Sequence, residues 1–285
     1  MKFNVVIIDS GNFDFGHLYY DLGKLLLYSI EDLGNRCTVA RNRFDDDSIN
    51  ILLGGHHLKP ADVDPIVGKH DYVFVQTEPL YKNRVNEDEA DDHFDTTFIP
   101  IVQGARRVWE ISSGQLNRWQ DMNIPADQIH VGYHPRLADV FKKNNPDIDI
   151  AVHGRETPYR RRLIKGLEAT GLSVLRIHDQ STMLRSIHNA GCRVHLVPRY
   201  SLKAPHLPWH RIAYLLNNEF IVLGDATDES NPLQSCILQS ESAEMAKACH
   251  NLLAQPNPSE VAKAMSENFQ QRPMPQLIEP LINAL

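Results

Sequence analysis

The sequence is short of cysteine and has no excess of positive charge, and both shortages narrow what it can do. Its four cysteines, Cys37, Cys192, Cys236 and Cys249, stand far apart with no C-x-x-C pair. That spacing argues against a zinc site and supplies no disulfide framework. A reducing cytoplasm is the expected home. The net charge of −7 over 285 residues argues against nucleic acid as the main partner, because duplex binding comes with a basic patch on a basic domain. No apolar run reaches the length of a membrane span. The opening MKFNVVIID runs straight into a strand, without the basic segment, apolar stretch and cleavage site of a leader. The expectation is a chain neither exported nor anchored. G-x-G-x-x-G is absent, which removes support for a nicotinamide enzyme, and no serine sits in G-x-S-x-G.

What is present is an alternation of strand and helix. Phe3 to Ile8 is a continuous apolar run ended by Asp9, Ser10 and Gly11, as a strand buried on both faces requires. Leu18 to Leu33 carries its leucines at helical spacing and stops at Gly34-Asn35. Strands are predicted at Cys37 to Ala40, Ile49 to Leu53, Tyr72 to Gln76, Val108 to Ile111 and His130 to Gly132. Helices are predicted at Thr97 to Ala105 and Ser113 to Met122. The polar break Lys142 to Pro146 has the composition of a linker, after which the rhythm restarts. Strands are then expected at Ile148 to His153, Ser173 to Ile177, Val194 to Val197 and Phe220 to Leu223. Between and after them helices are expected at Arg160 to Thr170, Ser181 to Ala190, Trp209 to Asn217 and Ser242 to Leu253, with a helical tail from Ser259. The fold class is α/β: two units with parallel sheets, joined by a short linker and facing a cleft.

The stretch from Asp149 to Arg162 holds the clearest local chemistry. A short apolar strand meets a glycine and then a helix start crowded with arginines. Free N–H groups, the positive end of the helix dipole and bidentate arginines converge there, as phosphate binding needs. Gly154 would lie against a pyrophosphate and Arg155 on its oxygens, or the pair is a surface turn with a solvated cation. Arg160, Arg161 and Arg162 cannot all face one ligand, so at least two of them are expected as solvated charges. A second basic segment contains Arg199, Lys203, His206, Trp209, His210 and Arg211. It can stack on a base and hold phosphates at a helix start, or Trp209 is a core residue among exposed bases. Asp225, at the end of the next strand, can accept hydrogen bonds from a ribose or sugar hydroxyl, or cap a turn with Thr227.

In the first half, the loop DSGNFDFGH offers Asp14 and His17 as general bases, against an Asx-turn and an ordinary helix start. Glu78 ends an apolar strand before Pro79 and is either a base beside the cleft or an exposed strand-end acid. His56-His57 lacks a third ligand at metal spacing, so a loop role is expected. The acidic run Glu87 to Asp95 lacks the calcium-loop pattern and reads as a solvated loop.

Several of these segments together resemble the GT-B glycosyltransferases, and more closely a group of small bacterial glycosyltransferase-like proteins. They are QTEPL (Gln76 to Leu80), VWEISSGQLNRW (Val108 to Trp119), HVGYHPRL (His130 to Leu137), the stretch DIDIAVHGRETPYRRRLIKGLEATGLSV and RIAYLLNNEFIVLGD. The resemblance implies two Rossmann-like domains, with the acceptor toward residues 1–141, a nucleotide-sugar donor on residues 147–258, a helical tail at 259–285 and no obligatory metal. It makes Arg211 the leading donor contact. Where that group usually carries a glutamate three residues before this arginine, the chain has Pro208. The implied activity is sugar transfer from a nucleotide-activated donor to an unidentified acceptor, without a separate cofactor. A nucleotide-sugar epimerase of the same fold and a non-catalytic nucleotide-sugar-binding or scaffold protein are the alternatives.

Overall fold

A run such as VVI or VFV has no polar side to offer water, so its strand must be covered by layers on both faces. The computed structural model describes residues 1–9, 16–85, 92–143, 145–178, 180–204 and 206–285, the side chains of 16–18 excepted. It divides into two units, one of residues 1–131 with 274–285 and the other of residues 132–273.

Unit 1 begins with β1 (Lys2–Ile7), α1 (Gly16–Asp32), β2 (Arg36–Arg41), β3 (Ile49–Leu53), α2 (Pro60–Ile66) and β4 (Tyr72–Gln76). A small antiparallel hairpin, β5 (Leu80–Tyr81) and β6 (Arg84–Val85), precedes α3 (Ile99–Gly104), β7 (Arg107–Glu110), α4 (Leu116–Asp121) and β8 (Ala126–Gln128). The sheet order is β2-β1-β3-β4-β7-β8, with every pair parallel. The central strands β1, β3 and β4 are almost wholly buried, whereas RCTVAR of β2, at the edge, is half-buried and ends in exposed arginines. Trp109, Trp119, Phe74 and Phe98 fill the interior.

Unit 2 contains β9 (Ile148–His153), α5 (Pro158–Glu168), β10 (Val174–Ile177), α6 (Thr182–Ala190), β11 (Cys192–Val197), α7 (Trp209–Asn217), β12 (Val222–Asp225), β13 (Leu238–Ser240), α8 (Met245–Leu253) and α9 (Pro258–Gln270). Its sheet runs β10-β9-β11-β12-β13, again parallel throughout. Thr157 caps α5 by accepting from Arg160 N, with Pro158 in the first turn, and Ser181 caps α6 by accepting from Leu184 N. Both are the start signals that orient a helix after a strand. The last helix, α10 (Met274–Asn283), returns to unit 1, packs on α1 and buries Met274, Ile278 and Ile282.

Three details differ from the sequence expectations. The last strand of unit 1 is Ala126–Gln128 rather than His130 to Gly132. Ile129 and Val131 are buried after the strand has ended. The division between units falls before Gly132, not at the polar break 142–146. Residues 134–140 are tied to α7, since His134 N donates to Asn217 Oδ1 at 3.0 Å and Asp139 N and Val140 N donate to Asn218 Oδ1 at 2.9 Å. The tail is not one body either, because α9 stays with unit 2 while α10 joins unit 1.

Candidate functional site

In each sheet the first and third strands of the unit are neighbours and the second lies outside the first. The chain therefore winds one way and then the other, and the connections leaving the carboxyl ends of those two strands diverge, which opens a crevice suited to ligands. In unit 2 this point lies between β9 and β11, and in unit 1 between β1 and β3.

Gly154 follows β9 with φ +108°, a conformation that favours glycine. A Cβ there would lie 2.3 Å from Nη1 of Arg160 and 3.0 Å from Nη1 of Arg211. Two guanidinium groups from different helices thus come against one glycine. Arg160 is buried, and its donors reach three carbonyls: Nε to Arg199 O at 3.0 Å, Nη1 to Arg155 O at 2.9 Å and Nη2 to Pro198 O at 2.8 Å. It joins the turn after β9 to the loop after β11, a structural task that its place in an arginine run concealed. Arg161 and Arg162 are exposed, as expected of solvated charges. Arg155 is also exposed, donates to the Tyr200 hydroxyl and lies 5.5 Å from that ring's centre, with Arg160 5.8 Å away.

The histidines around these groups are lowered first by burial and then, for His178 and His153, by neighbouring charges. Burial and the surrounding cations Arg211, Arg160, Arg176 and Arg155 push His178 down to about 3. His153, the last residue of β9, is held well below the usual histidine value by burial, then by His195 and by Arg211, Arg185 and Arg160. Its Nε2 lies 3.0 Å from Nδ1 of His195, which burial pushes down to about 3. A neutral imidazole carries one donor and one acceptor, so the pair satisfies this bond uncharged.

Asp225 and Trp209 serve the interior. Asp225 is 1% exposed, with Oδ1 accepting from Tyr159 at 2.5 Å and Oδ2 from Arg199 N at 2.8 Å. Its carboxylate fixes the start of α5 and the loop after β11, and no oxygen reaches the surface for a sugar hydroxyl. Arg199 Nε lies 3.8 Å from the same carboxylate. Trp209 is wholly buried and donates to Glu229 Oε2 at 2.7 Å, so neither ring face is open to a base. His206 and His210 are buried as well, and Arg211 is half-buried in the first turn of α7. Pro208 stands at the N-cap of α7 without a side-chain cap, and its carbonyl accepts from Arg211 N at 2.9 Å and Ile212 N at 3.2 Å.

In unit 1, Asp14 and the side chain of His17 lie outside the described residues. Glu78 is half-buried beyond β4, and its Oε1 accepts from the Tyr19 hydroxyl at 3.0 Å. The same hydroxyl lies 3.5 Å from His56 Nε2. The His56 and His57 rings are 4.0 Å apart, and His93 Nε2 lies 2.9 Å from His56 O. Burial lowers His57, while the Glu78 carboxylate acts in the opposite direction. Gly54, with φ +73° and the Tyr19 ring 3.0 Å from its Cβ direction, turns the chain after β3 and places this pair of histidines. A glycine pair followed by two histidines at a strand end was the sequence signal for this group. No group of three or more His, Cys, Asp or Glu among the described residues is placed to hold a metal ion. No helix among them is long and apolar enough to cross a membrane.

No protein-family model matches the chain, and no curated protein matches it by sequence. Solved structures match over its whole length. Sucrose-phosphate synthase from Thermosynechococcus elongatus is 12% identical with a TM-score of 0.56, covering 100% of both chains. The DNA-modifying enzyme β-glucosyltransferase, solved with and without uridine diphosphoglucose, is 10% identical with a TM-score of 0.58, covering 100% of this chain and 98% of the other. A glycosyltransferase involved in avilamycin A biosynthesis is 11% identical with a TM-score of 0.57, covering 99% and 96%. Identity of this order carries fold and not chemistry, and by that measure the chain has the GT-B fold, with two Rossmann-like α/β units.

Proposed function

We propose that the chain is a glycosyltransferase that takes a sugar from a nucleoside diphosphate and passes it to an acceptor hydroxyl. The observation that carries the reading is the convergence of Arg160 and Arg211 on Gly154 at the strand reversal of unit 2. After burial, the same cations contribute to lowering His178 and His153, as expected where the potential is positive. A diphosphate is the ligand class such a potential favours. In the proposed reaction the acceptor oxygen bonds to the anomeric carbon while that carbon's bond to the diphosphate oxygen breaks. The electron pair leaves with the nucleoside diphosphate, and guanidinium groups stabilise the charge as it develops. Arg211 and Arg155 act on the diphosphate. Arginine rather than a metal ion supplies the positive charge in this scheme.

The acceptor proton is assigned to Glu78, whose carboxylate accepts from Tyr19 and acts on the neighbouring His57. Asp225 and Trp209 are assigned positioning and packing, since both are enclosed. Isothermal calorimetry of nucleoside diphosphates with Arg211→Ala tests the donor assignment. Weakened binding is the expected result, and unchanged affinity removes the claim. Donor consumption with and without candidate acceptors separates transfer from epimerisation, which needs no acceptor, and from binding without turnover.

A further inference from the structure

The strand reversal of unit 1 is flanked by a cavity of about 530 Å3 that the donor chemistry does not use. Its size lies within the range of about 300–1,000 Å3 typical of small-molecule sites. Its walls come from segments around the reversal: Ile8 after β1, Phe44 after β2, Leu58 after β3 and Ile66 in α2. Ile8, Leu58 and Ile66 are buried, while the half-buried Phe44 ring is braced by stacking on His70 at 4.7 Å and by an edge contact with Tyr72. The cavity therefore has a mixed lining, in which an aromatic face and these aliphatic side chains stand among polar and charged groups.

Its charges are unevenly committed. Asp9 is ion-paired with Arg41, and Asp62 Oδ2 accepts from Lys59 N at 2.7 Å at the start of α2. His70 is paired with Asp46 at 2.8 Å. Arg43 and Lys59, both exposed and both lining the cavity, have no ion-pair partner among the described residues. The charge left to a ligand is positive. The imidazole of His57 forms another part of the wall, and Glu78 acts on it.

We infer that this cavity binds a small aromatic molecule carrying an anionic group, and that this molecule is the sugar acceptor, presenting its hydroxyl beside His57. The second clause rests on the transferase reading; the first stands without it. An apolar ring against Phe44 and Ile66 removes surface from water, and an anion at Arg43 and Lys59 gains charge-assisted hydrogen bonds.

Calorimetry of the full chain without nucleotide, using hydroxynaphthoate as probe, naphthol as its neutral counterpart and glucose as a polar one, tests the inference. The expected result is one-site binding of hydroxynaphthoate about tenfold tighter than naphthol, a difference of one charge-assisted contact. Replacing Arg43→Gln together with Lys59→Gln should erase that preference, and Ile66→Trp should fill the cavity and remove both ligands. If Ile66→Trp does not fold, the exposed double variant decides alone. No saturable binding of hydroxynaphthoate, tighter binding of glucose, or a preference for the anion that survives in the double variant would overturn the inference. Nucleoside diphosphate titrated into the same samples reports separately on the donor site, so failure of one reading does not imitate failure of the other.

Discussion

At the end of β9 a positive-φ glycine, Gly154, is followed by arginine; at the end of β3 another, Gly54, is followed by glycine and two histidines. The two turns arise from the same winding rule, each beside the strand reversal of its own sheet. In unit 2 the space over the glycine is taken by guanidinium groups, and nearby histidines are lowered by burial first and by those cations after it. In unit 1 the turn gathers Tyr19, His57 and Glu78, and the carboxylate opposes the effect of burial on the imidazole. One backbone device thus serves two chemistries. In the proposed scheme the first, with its positive charge, takes the anion, while the second, which sets a carboxylate near an imidazole, takes the proton.

The sharpest test removes one chemistry and leaves the other. Glu78→Gln keeps a hydrogen-bond acceptor for Tyr19 but removes the base, so kcat for transfer should fall by about 10²–10⁴ while nucleoside diphosphate affinity stays as it was. Loss of diphosphate binding in that variant would dissolve the division of labour. The converse change, Arg211→Ala, should weaken nucleoside diphosphate binding by about 10- to 100-fold, the scale of one or two charge-assisted contacts. Calorimetry measures it directly.

A third test uses acid. His153 and His195 have folded pKa values below the ordinary 6.5. Between those folded values and 6.5 the unfolded chain binds more protons, so stability is fully present above 6.5 and is lost as pH falls below it. The expected slope is about 1.4 kcal/mol per pH unit for each histidine. Thermal unfolding from pH 7.5 downward should show it, and His153→Leu with His195→Leu should flatten the curve. A curve as steep in the double variant would assign the acid sensitivity elsewhere. Smaller again is Trp209→Phe, which leaves Glu229 without its indole partner. It should cost about 1–3 kcal/mol of stability with no change in nucleotide affinity; a loss of affinity at unchanged stability would return Trp209 to the ligand.

Much of the architecture was legible because it rests on local pattern. Ile49–Leu53, Tyr72–Gln76, Ile148–His153 and Trp209–Asn217 have the expected bounds, since each is an apolar run or a helical stripe bounded by strong stop signals. Less legible were β8, β13 and α2, short elements whose sequences carry little periodicity. Of the site, Gly154 and Arg211 were visible separately, and the three-dimensional turn brings them together. Arg160 was hidden because a run of three arginines gives no sign of which one points inward. His153 and His195 left a fainter signal, a histidine inside an apolar strand, which marks a buried polar group needing a partner but does not name it.

By itself, then, the amino-acid order determined the alternation of parallel strands and helices, the glycine turns after β3 and β9, and the placement of basic residues behind the second of them. These follow from periodicity, chain stiffness and helix-start chemistry, all read within a few residues. Only the tertiary structure decided which side chains those turns receive. It turned Trp209 and Asp225 inward, brought Arg160 and Arg211 to Gly154, paired His153 with His195 and set Glu78 beside Tyr19. Burial and charge proximity are properties of residues far apart in sequence, and they exist only once the sheets have brought those residues together.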